Sequence, residues 1–348
     1  MELKERILSF AALMSISSHE CYDEERLQAL TDGIFDECRT DAVGNHIFVK
    51  RCGREGAPKI LVDTHFDEIG MLVTDIKEGG FLTVTNVGGV DTRILQAAEV
   101  TVYGKEKLYG VVASTPPHLQ KPEDAKNLKK IDELYIDTGY TKETLQTLVS
   151  VGTPVGFKPK YTELLGGQLA GKGFDNKACA ACAVHALASI PREELAGDVY
   201  LLLSAHEETV RLGGAVAAAY GIMPDYAIVA DVNLGRTPDT PTSETVNMGG
   251  GASISLSAIT DRRLTKMTCE LAEEQGIRYQ KCVAATSTGT NTARLVLVGS
   301  GIPCVDVGLP LKSMHTYNEV LTLEDAEALA ALIGAFVRSK TIAEVYGV

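Results

Sequence analysis

The chain has no tryptophan, and its aromatic residues fill only 6% of 348 positions. It therefore lacks the side chain most often used to stack on sugar rings, which counts against a carbohydrate-binding groove. Positive charge is also short: 33 Lys and Arg face 46 Asp and Glu, for a net charge of −13. Nucleic acid and anionic membranes require a basic face to neutralise phosphate, so neither is expected as a partner. The same acidity suits the binding of cations. Long apolar runs are missing too, and nothing approaches the ~18 residues of a membrane span. The amino end, Met1-Glu2-Leu3-Lys4-Glu5-Arg6, is charged at once and leads into a helical pattern of Leu3, Ile7, Leu8 and Phe10. A secretory segment would lead instead into an apolar core with a cleavage site, so a cytoplasmic protein is expected. The eight cysteines are scattered singly, as in a reducing compartment. Only Cys179 and Cys182 have redox or zinc-knuckle spacing, and their alanine-rich surroundings predict a tightly packed helix instead.

A chain of this length exceeds what one hydrophobic core usually supports, which predicts two compact units or one domain carrying an insertion. Val/Ile/Leu-rich runs at 59–65, 199–203, 226–230 and 302–309 read as strands buried on both faces. Helical patterns at 175–189, 213–220, 264–275 and 323–338 lie among them, predicting an α/β sheet sandwiched by helices. The last of these has Thr322 as a cap, with Asp325 three residues on. Residues 69–164 differ. Runs at 71–76 and 81–87 alternate around Lys77-Glu78-Gly79-Gly80, and runs at 100–103 and 108–112 flank Gly104-Lys105, both hairpin signals. This stretch is expected to be a small β-rich domain inserted into a larger unit made of 1–68 and 165–348. Charged residues at 121–133 read as a solvated loop. The glycines at 249–251 lack the following Lys-Ser/Thr of a phosphate loop and read as a turn or a close backbone approach.

Four of the core strands are each followed, at the carboxyl end, by residues able to bind a metal: His65, Glu207 with Glu208, Asp231 and His315. That edge is where ligands gather on α/β sheets. Asp175, which opens a helix after Gly171-Lys172-Gly173-Phe174, is a fifth candidate. The mixed imidazole and carboxylate set suits zinc, cobalt or manganese better than calcium or magnesium. Asp67 lies two residues beyond His65 on the same face of a strand, where its carboxylate could hold the imidazole and fix its tautomer. Glu207 and Glu208 follow Leu201-Leu202-Leu203-Ser204-Ala205, where isolated charge is expensive. One ligating a metal and the other accepting a proton from water would explain both. Singly, each residue has an ordinary reading: a His–Asp hydrogen bond, a solvated glutamate pair, a capping aspartate or a loop histidine. Their joint placement favours a site.

These segments, taken together, resemble the glutamyl and deblocking aminopeptidase family of tetrahedral metallopeptidases, some of whose members carry an endoglucanase label. The resemblance runs through Asp41-Ala42-Val43-Gly44-Asn45, His65-Phe66-Asp67-Glu68-Ile69-Gly70, Gly88-Gly89-Val90-Asp91, Pro116-Pro117-His118-Leu119-Gln120, Gly173-Phe174-Asp175-Asn176-Lys177, Glu207-Glu208, Ala230-Asp231-Val232, and Met314-His315 followed by Glu319-Val320. It covers nearly the whole chain. It implies a mixed central sheet of the zinc-aminopeptidase kind. It also implies two divalent ions per chain, with Asp175 bridging, His65 and Asp231 completing one site, and Glu208 and His315 the other. Glu207 becomes the general base. The implied activity is metal-dependent removal of amino-terminal residues from short peptides with a free amino end. The inserted domain is implied in self-assembly, commonly as dodecamers built from dimers.

Three positions depart from the family pattern. Asp175-Asn176-Lys177 stands for Asp-Asp-Arg, and Gly289-Thr290-Asn291-Thr292 stands for Gly-Thr-Asp-Ala. Thr209-Val210-Arg211-Leu212-Gly213-Gly214-Ala215 is one residue longer than the usual Val-Gly-Leu-Arg-Gly-Ala. Two rival functions come with the resemblance. A glycoside hydrolase would need two carboxyl groups flanking a bond at ~5–9 Å, which adjacent Glu207 and Glu208 suit poorly. A non-catalytic metal-binding homologue would keep the ligands without turnover.

Overall fold

The computed structural model describes residues 1–119, 129–209 and 212–347. Gln120, the 121–128 part of the charged run, and Val210 and Arg211 of the lengthened segment lie outside the described residues. The central sheet has eight strands, in the order Glu37–Thr40, His46–Lys50, Asp198–Ser204, Lys59–His65, Tyr226–Leu234, Cys304–Leu311, Ala252–Ser257 and Tyr279–Ala284. The four central strands run parallel, and antiparallel pairings flank them, so the sheet is mixed. Parallel strands need both faces covered, which is why these carry continuous apolar runs.

On one face pack Leu3–Ala11, Phe174–Ser189 and Leu323–Arg338. The middle helix is buried throughout its Ala178–Val184 stretch, and small side chains there let its neighbours approach closely. Cys179 and Cys182 act as small apolar residues, and all eight cysteines are unpaired. On the other face, Gly213–Ile222 and Thr292–Leu295 cover Ile47, Leu61, Leu202 and Val229. Thr322 caps its helix by accepting from the Asp325 amide at 3.1 Å. The Asp325 carboxylate instead accepts from the amides of Gly249 and Gly251, each at 2.7 Å. Gly251 has φ +84°, and a Cβ there would lie 2.1 Å from the Arg278 carbonyl, so glycine is required.

In chain order between Lys59–His65 and Asp198–Ser204, six strands close into a barrel with its own apolar core: Gly70–Ile76, Phe81–Val87, Tyr135–Asp137, Lys107–Val112, Glu99–Tyr103 and Pro154–Phe157. Thr162–Leu164 follows the barrel but pairs with Gln168–Gly171, which in turn pairs with Glu319–Thr322. One strand is longer than its apolar run implies. Tyr226–Leu234 keeps pairing with Cys304–Leu311 beyond Ala230, so Asp231 sits inside the strand opposite Gly308. Among the described residues no helix is long and apolar enough to cross a membrane.

Candidate metal centre

Because the central strands are parallel, their carboxyl ends share one edge, and the predicted ligands meet there. His65 ends its strand, Glu207 and Glu208 follow Asp198–Ser204, and Asp231 lies on the neighbouring strand. Asp175 comes from the head of Phe174–Ser189, where its own backbone is not helical (φ −79°, ψ 107°) and its carboxylate turns toward the sheet edge. His315 arrives from the loop after Cys304–Leu311, with a left-handed backbone at φ 62°.

The two oxygens of Asp175 face different partners. Oδ1 lies 3.1 Å from His65 Nε2, which is itself 3.5 Å from Asp231 Oδ1. Oδ2 lies 3.4 Å from His315 Nε2, which is 3.4 Å from Glu208 Oε2. Two ligand groups result, His65 with Asp175 and Asp231, and Asp175 with Glu208 and His315. Donors bonded at ~2.0–2.1 Å in a tetrahedral shell stand ~3.3–3.4 Å apart, so these spacings fit a small divalent ion in each group.

The electrostatics point the same way. Among the described residues, Asp175, Glu207, Glu208 and Asp231 have only the two imidazoles as ion-pair partners. Burial, reinforced by neighbouring carboxylates, pushes Glu207 up to about 8 and Glu208 up to about 10. Burial works against Asp175 as well, but its hydrogen bonds with His315 and His65 outweigh that and hold it below the carboxylate range. A cluster of acids that cannot all ionise alone is a donor set in need of cations.

Asp67 is fully buried and holds the glutamates in place. Its Oδ1 accepts from the Glu207 amide at 2.9 Å, and its Oδ2 from the Glu208 amide at 3.1 Å and from Ser17 Oγ at 2.6 Å. His65 Nδ1 lies 3.0 Å from the Asp67 main-chain oxygen and 3.6 Å from the carboxylate. The imidazole is thus oriented by the carbonyl, because the carboxylate is engaged with the backbone of another loop. Asn45 braces the same loop, accepting from the Ala205 amide at 2.8 Å and donating to the Gly214 carbonyl at 2.9 Å.

Sequence reasoning assigned no role to several residues that shape the centre. Glu68 is buried and bonded by Lys172 and Lys177, whose charges overcome burial and lower its pKa. The signal for Lys177 is a lysine within an otherwise small, apolar helix, which demands a buried anion. Gly89 has no room for a side chain, since a Cβ would lie 2.7 Å from His315 Nδ1. The barrel therefore abuts the centre through this glycine. Of the altered segment 289–292, Asn291 donates to Asp63 and Ser204, and Thr290 and Thr292 donate to Asp306, bracing the strands beneath the site. The centre opens into a cleft of about 710 Å³ whose walls include Asn233, Glu244, Cys282 and Met314.

Comparisons with known proteins place the chain among peptidases. The family model described as M42 glutamyl aminopeptidase matches residues 44–332. A putative aminopeptidase of Acetivibrio thermocellus is 31% identical over 332 residues, covering 93% of this chain and 95% of its own. The lysyl aminopeptidase of Pyrococcus furiosus is 27% identical, covering 84% of each chain. Among solved structures, the Pyrococcus horikoshii TET1 peptidase, which can assemble into a tetrahedron or a large octahedral shell, superposes with a TM-score of 0.84. It is 31% identical, covering 97% of this chain and 99% of its own.

Proposed function

We propose, from the premise that the chain belongs to the M42 glutamyl aminopeptidase family and is a peptide hydrolase, that it removes amino-terminal residues from short peptides at a dinuclear metal centre with Glu207 as general base. The observation that carries this reading is the division of Asp175 between two ligand groups, one oxygen toward each. Two divalent cations, zinc or cobalt before manganese for this donor set, would be held by His65, Asp231 and Asp175 and by Asp175, Glu208 and His315, polarising the scissile carbonyl and acidifying the attacking water.

The chain's own residues divide the remaining tasks. Glu207 Oε2 lies 3.9 Å from His65 Nε2 and is not needed by either ligand group, which leaves it free to take a proton from the attacking water and return it to the departing amine. Asp67 keeps the two adjacent glutamates at fixed positions through their amides. The His65 Nδ1–H donates to the Asp67 carbonyl, leaving Nε2 as the ligating nitrogen. Crowding of the centre by the barrel at Gly88-Gly89 would admit a chain end more readily than the middle of a peptide. Adjacent glutamates on an imidazole-bearing centre do not flank a glycosidic bond, which counts against glycoside hydrolysis. We assign the barrel to self-assembly into a homo-oligomer, with the dodecamer built from dimers as the expected form. We place its work in the cytoplasm, the reducing compartment that its singly scattered cysteines suit.

The two glutamates test the reading because they would fail differently. Glu207→Gln should keep both ions and near-normal KM while kcat falls by about 10²–10⁴, the range of lost general acid–base catalysis. Glu208→Gln should lose metal, and excess metal should restore only part of the activity. Both variants are to be purified, their metals counted, and each titrated with zinc and cobalt during hydrolysis of an unblocked peptide. Metal loss in Glu207→Gln alone would reverse the assignments, and full turnover in both would reject the site.

A further inference from the structure

The direction in which Asp175 points depends on its main chain, and that main chain is held from far away in sequence. The amides at the head of a helix need acceptors, usually from a Ser, Thr, Asp or Asn at the cap, and those of Phe174 and Asp175 lead into this helix across a kink where Asp175 and Asn176 are not helical. Here the cap is Gly173, with φ +71°, and a Cβ at that position would lie 2.9 Å from Glu68 Oε2. No capping side chain fits there. Asp175 itself, which could bend back to serve as a cap, directs its oxygens to His65 and His315 instead.

The acceptor comes from Glu319, the first residue of Glu319–Thr322 and only 2% exposed. Its Oε2 accepts from the amides of Phe174 at 2.7 Å and Asp175 at 3.2 Å. A carboxylate this deeply buried is costly without a cation, and the buried lysines of the region, Lys172 and Lys177, both pair with Glu68. The excursion 312–320, closed by the Lys312–Val320 bridge, thus touches Asp175 twice: His315 on the carboxylate and Glu319 on the amide.

We propose that Glu319 is a positioning residue of the metal centre. By accepting from the Phe174 and Asp175 amides at the kinked head of Phe174–Ser189 it leaves both oxygens of Asp175 free and fixes the peptide from which they project. The inference rests on the reading of Asp175 as the shared ligand.

The test uses Glu319→Leu, which fills the same space without an acceptor, and Glu319→Gln, which retains an oxygen but no charge. Cobalt is titrated calorimetrically into the metal-stripped proteins, visible absorption of the cobalt-loaded forms is recorded, and thermal unfolding of the stripped forms is followed. In Glu319→Leu, affinity for at least one ion should fall by about 10–100-fold, the usual effect of losing an outer partner of a ligand, and the cobalt spectrum should change. Glu319→Gln should recover most of both. If Glu319→Leu does not fold, Glu319→Asp, which withdraws the carboxylate by one methylene, decides by the same readings. Wild-type affinity and spectrum in the deciding variant would overturn the proposal, even if its melting temperature fell. A wild-type protein that does not take two ions would instead reject the proposed function.

Discussion

Asp67→Asn should leave the metal ligands intact and still slow the reaction, because Asp67 acts on the backbone that carries the glutamates. The carboxylate accepts three hydrogen bonds, from Glu207, Glu208 and Ser17. Asparagine offers one oxygen. Placed on the Oδ2 side, that oxygen retains the Glu208 amide and the Ser17 hydroxyl, while its NH₂ group faces the Glu207 N–H, donor against donor. The opposite flip would lose two bonds, so the first orientation prevails. Loss of one hydrogen bond to a charged group, with a buried donor left unpaired, costs about 2–4 kcal/mol of stability. The loop can relieve the clash only by moving Glu207. A displacement of ~1 Å in a reacting group costs ~10²-fold, so kcat should drop by about that factor with KM little changed. The assay is steady-state hydrolysis of an aminoacyl anilide at saturating metal, with metal counting and thermal unfolding on the same preparation. A variant that binds both ions, melts like wild type and turns over within twofold of it would refute the reasoning. Metal loss in proportion to activity would show that Asp67 acts through His65 instead.

Three further outcomes are expected. If the barrel serves assembly, light scattering should find a large homo-oligomer at micromolar concentration, and a fully active monomer would remove that assignment. Lys50→Met should cost about 2 kcal/mol in denaturant unfolding, since Lys50 Nζ donates to the Leu187 and Ile190 carbonyls at the end of Phe174–Ser189 at 2.5 and 2.7 Å; an unchanged midpoint would contradict it. Burial, aided by the Asp67 charge, raises Glu20 to about 7, so the fold favours its protonated form. Its contribution is full below the unfolded value near 4.5 and fades as pH rises from there through about 7, an effect of up to roughly 3 kcal/mol. Relative to wild type, metal-stripped Glu20→Gln should therefore gain melting temperature between pH 5 and pH 8, and a constant difference across that range would rule this out.

The elements that sequence alone could locate are those with a strong local period. The runs at 59–65 and 199–203 match Lys59–His65 and Asp198–Ser204 closely, and Thr322 caps the helix that its position announces. Strand ends followed by acids and histidines were legible for the same reason: a buried apolar run that stops on a charged residue marks a sheet edge. The span of Tyr226–Leu234 was not, because the strand continues past its apolar residues only where Cys304–Leu311 lies beside it.

By itself, then, the sequence determined the residue types at the edge of the sheet, the α/β character and the β-rich insertion, all properties of neighbours within a few positions. Tertiary structure alone decided that the insertion closes as a barrel against His315, that Asp67 reaches the Glu207 and Glu208 amides, and that Glu319 holds the head of the helix bearing Asp175. The Asp67 and Glu319 contacts join residues about 140 positions apart. A hydrogen bond over that separation leaves no periodic trace in the chain; it exists only once sheet order and helix packing have brought both partners to the same edge.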